Sequence, residues 1–439
     1  MSLMSRVMAV DGFGEVAQER ETFGLEQKLR EDFNSHMSSD ILAELIQRHP
    51  QQAKNEIRSV CSQIFTESSW GLCSEAQKES LVERLIDVVF GLGVIQPLVD
   101  DPQVSEIMVN STESIYYEED GRLHKSSLIF STEDQIRSMI DRIVSPIGRR
   151  IDEESPMVDA RLPQGYRVNV VIPPIAVDGP VVTIRKFNRD EFTLDDMVSQ
   201  GCMSSEVKTF LGWTIRARKN VIVSGGTGSG KTTLLNALSQ EISPCERIVT
   251  IEDSAELRFD SHPHVVRLEA RPCNTEGVGE ISIRDLVANS LRMRPDRIIV
   301  GECRGSEALD MLQAMNTGHE GSLTTLHANS PADMVTRLAT MVRFGVDLPI
   351  DVVELNIASA VDVVVQIARA LTGERYIQEI AGLRYEKGDR ACEAVTYYSR
   401  PSVVDKGVWI DEPQWIDEVC KKGDIFQKEV LAWQEKCFF

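Results

Sequence analysis

Residues Gly225 to Thr233 read GGTGSGKTT, a match to G-x-x-x-x-G-K-[ST]. Gly225, Gly226, Thr227, Gly228, Ser229 and Gly230 form a turn whose glycines let backbone N–H groups curl around phosphate oxygens. The helix expected from Lys231 adds a favourable dipole field. Lys231 is then placed to reach β- and γ-phosphates, and Thr232, followed by Thr233, to set its hydroxyl on Mg²⁺. A glycine-rich turn with no nucleotide is the plainer reading. The order of apolar strand, motif and helix argues against it.

Such a loop needs acidic partners. RIIVGECRG is an apolar strand ending in Glu302, a carboxylate able to hold metal-bound water or polarise an attacking one. TIEDSAEL ends another strand with Glu252, Asp253 and Glu256. Three crowded carboxylates are costly unless cations or a metal meet them. Either Glu252 or Glu256 could activate water, and spacing leaves the choice open.

Two of the seven histidines, His319 and His327, fall in TGHEGSLTTLHANS. Zinc would require further ligands, and no cysteine pair lies near. The histidines flank an expected strand, which also argues against a shared metal. His327 ends SLTTLH, where an imidazole can donate to a γ-phosphate. A core histidine satisfied by backbone is the alternative, and spacing alone favours it. Arg161 and Arg167 in DARLPQGYRVNV, and Arg185 in TIRKF, offer planar forks for phosphate. In a ring they would stabilise charge across a domain or subunit boundary. As surface or carboxylate-paired arginines they would do nothing of the kind, and sequence leaves both readings open.

The elements that must position these groups follow from pattern. From Lys219 onward strands alternate with helices: KNVIVSGG then KTTLLNALSQEI, ERIVTIED, IRDLVANSLRM, DRIIVGE, SEALDMLQAMN, SLTTLHA, ADMVTRLATMV. That alternation predicts an α/β fold with a largely parallel sheet covered by helices. Upstream, SIYYEEDGRLHKSSLIF reads as a hairpin around Asp120 and Gly121, then a helix, then a Pro/Gly-punctuated segment ending in a strand, VVTIRKF. We expect a helical extension over residues 1–75, an N-terminal α/β domain over 76–187, a linker over 188–198, and a C-terminal ATPase domain over 199–439.

At 439 residues, 42% hydrophobic and 26% charged, the chain is long enough for about three ordinary globular domains. No apolar run approaches the roughly 18 residues of a membrane span, and the first residues lack a signal-peptide pattern. A cytoplasmic protein is expected. Nine cysteines stand singly, which fits reduced thiols and no structural zinc. A net charge of −21 opposes wrapping of nucleic acid. The basic RMRPDR, Arg292 to Arg297, is read as structural or intersubunit pairing.

Together GLGVIQPLVDDPQVSEIMVN, RRIDEESPMVDARLPQGYRVNVVIPP, TIRKF, GGTGSGKTTLLNAL, TIEDSAEL, RPDRIIVGECRG and TGHEGSLTTLHANS resemble the secretion-ATPase superfamily of type II and type IV secretion and type IV pili. Within it they look most like the Flp/Tad pilus assembly ATPases, the CpaF type. The resemblance spans residues 80 to 385. It implies a RecA-like ATPase domain behind a smaller N-terminal domain. The four motifs become Walker A, Asp box (TIEDSAEL), Walker B (RIIVGECRG) and His box. It puts His319 and His327 near the γ-phosphate, favours Glu256 as the Asp-box acid, and makes Glu302 the Walker B acid. Arg161, Arg167 and Arg185 fall where the family places nucleotide-contacting arginines. ATP and Mg²⁺ are the implied ligands. A homohexamer is implied, peripheral on the cytoplasmic face of the inner membrane, docked on polytopic platform proteins and acting on pilin indirectly. The chain departs from the pattern at Cys303, where an aliphatic residue is usual, and at GLGVIQ. It lacks a tetracysteine zinc element, which favours the Tad or conjugation-type branch. The tail with Trp409, Trp415 and Trp433 carries no family motif, and we read its tryptophans as core. Rival readings are a conjugation-type type IV secretion ATPase, a RecA-like DNA translocase, and a nucleotide-binding scaffold without turnover.

Overall fold

A computed structural model describes residues 24–25, 28–29, 31–33, 35–38, 42, 45, 50–66, 70, 73–119, 121–186, 192–259, 261–271, 273, 278–388, 390–423 and 425–438. The chain divides into two compact units, Met1–Phe187 and Asn188–Phe439. The expected hairpin around Asp120 and the first residues of the expected linker involve positions outside the described residues.

In the first unit, helices Pro50–Ile64 and Glu75–Phe90 share a small core that includes Ile57, Ile64, Leu81 and Ile86. Ser74 starts the second helix: its side chain accepts from the Gln77 amide, and Gln77 reaches back to the Ser74 amide. The rest of the unit is a six-stranded antiparallel sheet. Its strands are β1 (Val104–Val109), β2 (Ile115–Glu119), β3 (Arg122–Lys125), β4 (Met157–Arg161), β5 (Arg167–Val171) and β6 (Val181–Arg185), ordered β3-β2-β1-β6-β5-β4. Strands β4 and β5 arise where sequence showed only Pro/Gly punctuation. Their alternation is clear in burial: Val158, Ala160, Val168 and Val170 point inward, and their neighbours point out. Helix Glu133–Val144 buries Ile136, Met139, Ile140 and Ile143 in the same core.

The second unit holds a nine-stranded sheet. Its strands are β7 (Val221–Gly225), β8 (Ile248–Glu252), β9 (Val265–Glu269), β10 (Arg297–Val300), β11 (Leu323–Leu326), β12 (Val363–Arg369), β13 (Arg375–Glu386), β14 (Ala391–Ser399) and β15 (Val408–Trp409). The order is β15-β14-β13-β12-β7-β11-β10-β8-β9. Strands β12 through β9 in that order run parallel, as the alternation predicts. Strands β13 to β15 extend the sheet antiparallel, which the sequence pattern had not separated from the tail.

The central strands β7, β8, β10, β11 and the first part of β12 are buried on both faces and mainly apolar. Val221, Val223, Val363 and Val365 face one core, and Ile222, Val249, Ile298 and Val364 face the other. Each such fully buried side chain contributes ~1.5–3 kcal/mol. Thr193 caps the short helix Leu194–Ser199, whose Leu194 and Met197 already belong to the first of these cores. The tail's tryptophans are core: Trp409, Trp415 and Trp433 surround Phe210 at ring-centre distances of 5.1, 5.7 and 6.1 Å.

Candidate active site

Parallel strands end at a common edge, and there the loops that follow them meet. β7 delivers the glycine loop to that edge. A Cβ on Gly225 would stand 2.4 Å from the Ile367 carbonyl oxygen, so only glycine fits. Gly228 and Gly230 hold φ of 69° and 96°, the left-handed region glycine takes without cost. Helix Lys231–Ser239 starts at Gly230 with no side-chain cap, leaving its first N–H groups for a ligand. Thr232 and Thr233 sit half-buried on its first turn.

Lys231 is buried, and its Nζ donates to the Gly225 and Gly226 carbonyls at 3.0 and 2.9 Å. Burial lowers its pKa, while Glu302 pulls it back up. Nζ also lies 3.4 Å from Nδ1 of His327, which directly follows β11. His327 Nε2 lies 2.8 Å from Glu302 Oε1. Burial first, then the Lys231 charge, lowers the His327 pKa. A lowered value favours the neutral imidazole, in which Nδ1 accepts from Lys231 and the proton sits on Nε2. The other Glu302 oxygen accepts from Arg304 Nη2 at 2.7 Å, and Arg304 Nη1 lies 3.9 Å from Asp253. A polar chain thus runs Lys231, His327, Glu302, Arg304, Asp253, with the imidazole between the ammonium and the first carboxylate.

The two Asp-box glutamates differ sharply. Glu252 is 3% exposed. Its Oε2 accepts from the Glu256 and Leu257 amides at 2.7 and 2.9 Å, and among the described residues its Oε1 has no partner. Burial raises its pKa to about 7, against the pull of those two amides. Its Cγ would lie 2.8 Å from a Cβ on Gly301, so the glycine before Glu302 makes room for it. Glu252 thereby anchors the loop that carries Glu256, whose side chain is half-buried.

Lys231, His327, Glu302, Glu252 and Glu256 are thus brought to one edge. His319 is not. It precedes β11, whereas His327 follows it, and a strand rises ~3.3 Å per residue, so the two rings flank the sheet at opposite edges. They cannot share a metal, and His319 does not reach the glycine loop of its own chain. Arg161, Arg167 and Arg185 lie in the first unit, in direct register across β4, β5 and β6: Arg161 faces Arg167, and Arg167 faces Arg185. They form one row on the sheet face opposite its core.

Sequence reasoning passed over Arg304, although GECRG contains it. An arginine two residues beyond a strand-end acid was the available signal. It also passed over Arg369 and Arg375, which reach the glycine loop from the β12–β13 hairpin. Nothing local to those residues announces it.

A glycine loop on a parallel sheet, with a strand-end carboxylate two strands away across an inserted strand, defines a P-loop nucleoside triphosphatase. Residues 90–428 match the family described as "Type II/IV secretion system protein", and the chain belongs to that family of secretion ATPases. It is 37% identical over 314 residues to a putative conjugal transfer protein of Mycobacterium tuberculosis, covering 70% of this chain and 88% of that one. It is 32% identical over 332 residues to the type IV secretion system protein VirB11 of Brucella suis, covering 69% and 92%. Among solved structures, the Brucella suis VirB11 ATPase in complex with sulphate is similar at 32% identity and a TM-score of 0.36, covering 69% of this chain and 96% of that one. The pilus retraction motor PilT with bound ADP matches at 19% identity and a TM-score of 0.49, covering 78% and 89%. The chain is an ATPase. Among the described residues no helix is long and apolar enough to cross a membrane.

Proposed function

We propose that the chain is the ATP-hydrolysing motor of a conjugation-type type IV secretion system. The observation that carries this is 37% and 32% identity, over about 70% of the chain, to a conjugal transfer protein and a type IV secretion protein. The superfamily resemblance of its motifs extends this reading to a homohexamer, peripheral on the cytoplasmic face of the inner membrane against polytopic platform proteins. The Flp/Tad pilus motor, acting on pilin indirectly, is the second reading. The helix Pro50–Ile64 and nearly all of Glu75–Phe90 favour it, because they precede the family-matched residues and exceed a minimal conjugation-type ATPase.

The residues assign themselves roles in hydrolysis. Lys231 exchanges its loop carbonyls for the β- and γ-phosphates. The Thr232 hydroxyl and the Glu302 carboxylate are hard oxygen donors and would hold Mg²⁺. When bound, that ion supplies charge neutralisation on the phosphates. Glu256 orients the attacking water. Glu252 is almost fully buried and spends one oxygen on two amides, which leaves the half-buried Glu256 the more accessible carboxylate. His327 turns its Nε2–H from Glu302 to the γ-phosphate. Arg161, Arg167 and Arg185, a row of guanidinium groups on one face of the first unit's sheet, offer planar forks suited to phosphate. His319 has no part in the site of its own chain.

Purified protein should release phosphate from Mg²⁺-ATP, and Lys231→Ala should cut this on the order of 10²–10³-fold. No release from the wild type, or no effect of the substitution, ends the motor reading. In the host, deletion should abolish transfer of DNA or protein substrates while surface pilin persists. Loss of pilin fibres with transfer intact would establish the Flp/Tad reading instead.

A further inference from the structure

The glycine loop has two flanks. On the β11 side stand His327, Glu302 and the Asp box, the groups suited to a γ-phosphate. On the other side stands β12, in register with β7 so that Ile367 faces Gly225. β12 runs two residues beyond the start of the loop, turns through residues 370–374, and returns as β13. Arg369 and Arg375 close that turn as direct partners. Arg375 Nε donates to the Gly228 carbonyl at 3.2 Å, and its Cδ stands 3.0 Å from where a Gly230 Cβ would be. Arg369 Nη1 stands 3.5 Å from the corresponding point at Gly228. Both side chains are exposed, and among the described residues neither has a carboxylate partner.

An exposed arginine usually finds an acid or faces open water. Here two are stacked against the one loop built to hold a nucleotide, in a chain of net charge −21 where acids are plentiful. We infer that the Arg369–Arg375 hairpin is the nucleoside clamp of this ATPase. Arg375 fixes the loop through Gly228, and Arg369 lays its guanidinium plane on the adenosine end of ATP. The direction follows from the flanks. With the γ-phosphate toward β11, the triphosphate leads away from it, and the nucleoside emerges on the β12 side. A planar guanidinium stacks on a purine face, as it does on an aromatic ring.

The inference rests on the ATP site proposed above, and its test separates the two. Binding of ADP and of inorganic tripolyphosphate is measured by calorimetry on the full chain. Arg369→Ala should weaken ADP about tenfold, leave tripolyphosphate within about twofold, and raise KM for ATP with kcat little changed. Arg369→Lys should rescue little, because it keeps the charge and loses the plane. Arg375→Ala should weaken both ligands, since it acts through the loop. Equal weakening of both ligands by Arg369→Ala would make it a phosphate contact and overturn the clamp, as would unchanged ADP affinity. Wild-type protein that binds neither ligand would instead overturn the ATP site itself.

Discussion

Arg297 opens β10 and Glu252 closes the neighbouring β8, so the two stand at opposite edges of one sheet, both almost fully buried. Arg297 is satisfied on every side. It gives Nε and Nη2 to the two Glu246 oxygens at 2.8 and 3.0 Å, and reaches the Ile215 and Gly321 carbonyls at 2.8 and 3.3 Å. Beside it, Asn220 Oδ1 accepts from the Gly321 and Ser322 amides, and Nδ2 donates to the Ala360 and Met315 carbonyls. Glu252 faces two amides with one oxygen and, among the described residues, no partner with the other. A buried charge with its partners complete holds structure, and one left incomplete is a stored cost. The entry edge is the frame. The exit edge, with Lys231 on borrowed carbonyls, is arranged for a ligand.

Breaking the frame should cost most. Arg297→Ala leaves Glu246 without its fork and should lower stability by about 3–5 kcal/mol in urea unfolding. A loss under about 1 kcal/mol would show that the entry edge is no frame.

The exit edge should respond with the opposite sign. The Glu252 carboxyl titrates at about 7 when folded against an ordinary 4.5. Between those values the folded state binds the extra proton. The stabilisation is therefore full below pH 4.5 and is lost as pH rises through about 7. Glu252→Gln removes that dependence and should be ~3 kcal/mol more stable than wild type at pH 8. Parallel stability curves for the two proteins from pH 5 to about 8 would refute it.

His327→Ala should cut turnover about ten- to hundredfold and leave ADP affinity within about threefold, as read by steady-state kinetics and calorimetry. Wild-type turnover should also fall on the acid side, below the ordinary imidazole value of 6.5, as an imidazolium forms beside Lys231. Zinc released on His327 substitution, or loss of fold alone, would count against its phosphate role. The smallest effect belongs to His319→Ala, which should change single-chain turnover by about twofold or less. A larger loss in the assembled ring, with none in the monomer, would move His319 to a neighbour's site.

The basic RMRPDR pairs structurally at Arg297, as one of its two sequence readings had it, but the sequence did not say which of its arginines would do so. Arg292 and Arg294 are exposed while Arg297 is wholly buried, yet composition treats them alike. Pairing with Glu246, 51 residues upstream, makes the difference. The glycine loop was legible because its requirements are local. Gly228 and Gly230 need left-handed backbone, and Lys231 must start a helix after a buried strand. Glu302 and Glu252 were legible as strand-end acids, but their separate duties were not, since burial decides them. β4 and β5 were hidden by turn residues that punctuate a hairpin and a loop alike.

What the sequence determined by itself was the local grammar. Period-two apolar runs make strands, glycines at fixed offsets make a phosphate cradle, and acids are set at strand ends. These depend on φ, ψ and side-chain direction over a few residues. Only the tertiary structure decided which ends meet. β11 inserts between β7 and β10, and so His327 touches both Lys231, 96 residues upstream, and Glu302. The same pairing carries His319 to the far edge, and β12 brings Arg369 and Arg375 to the loop. Strand order is set by long-range hydrogen bonding and by burial on two faces, and no short stretch of sequence contains it.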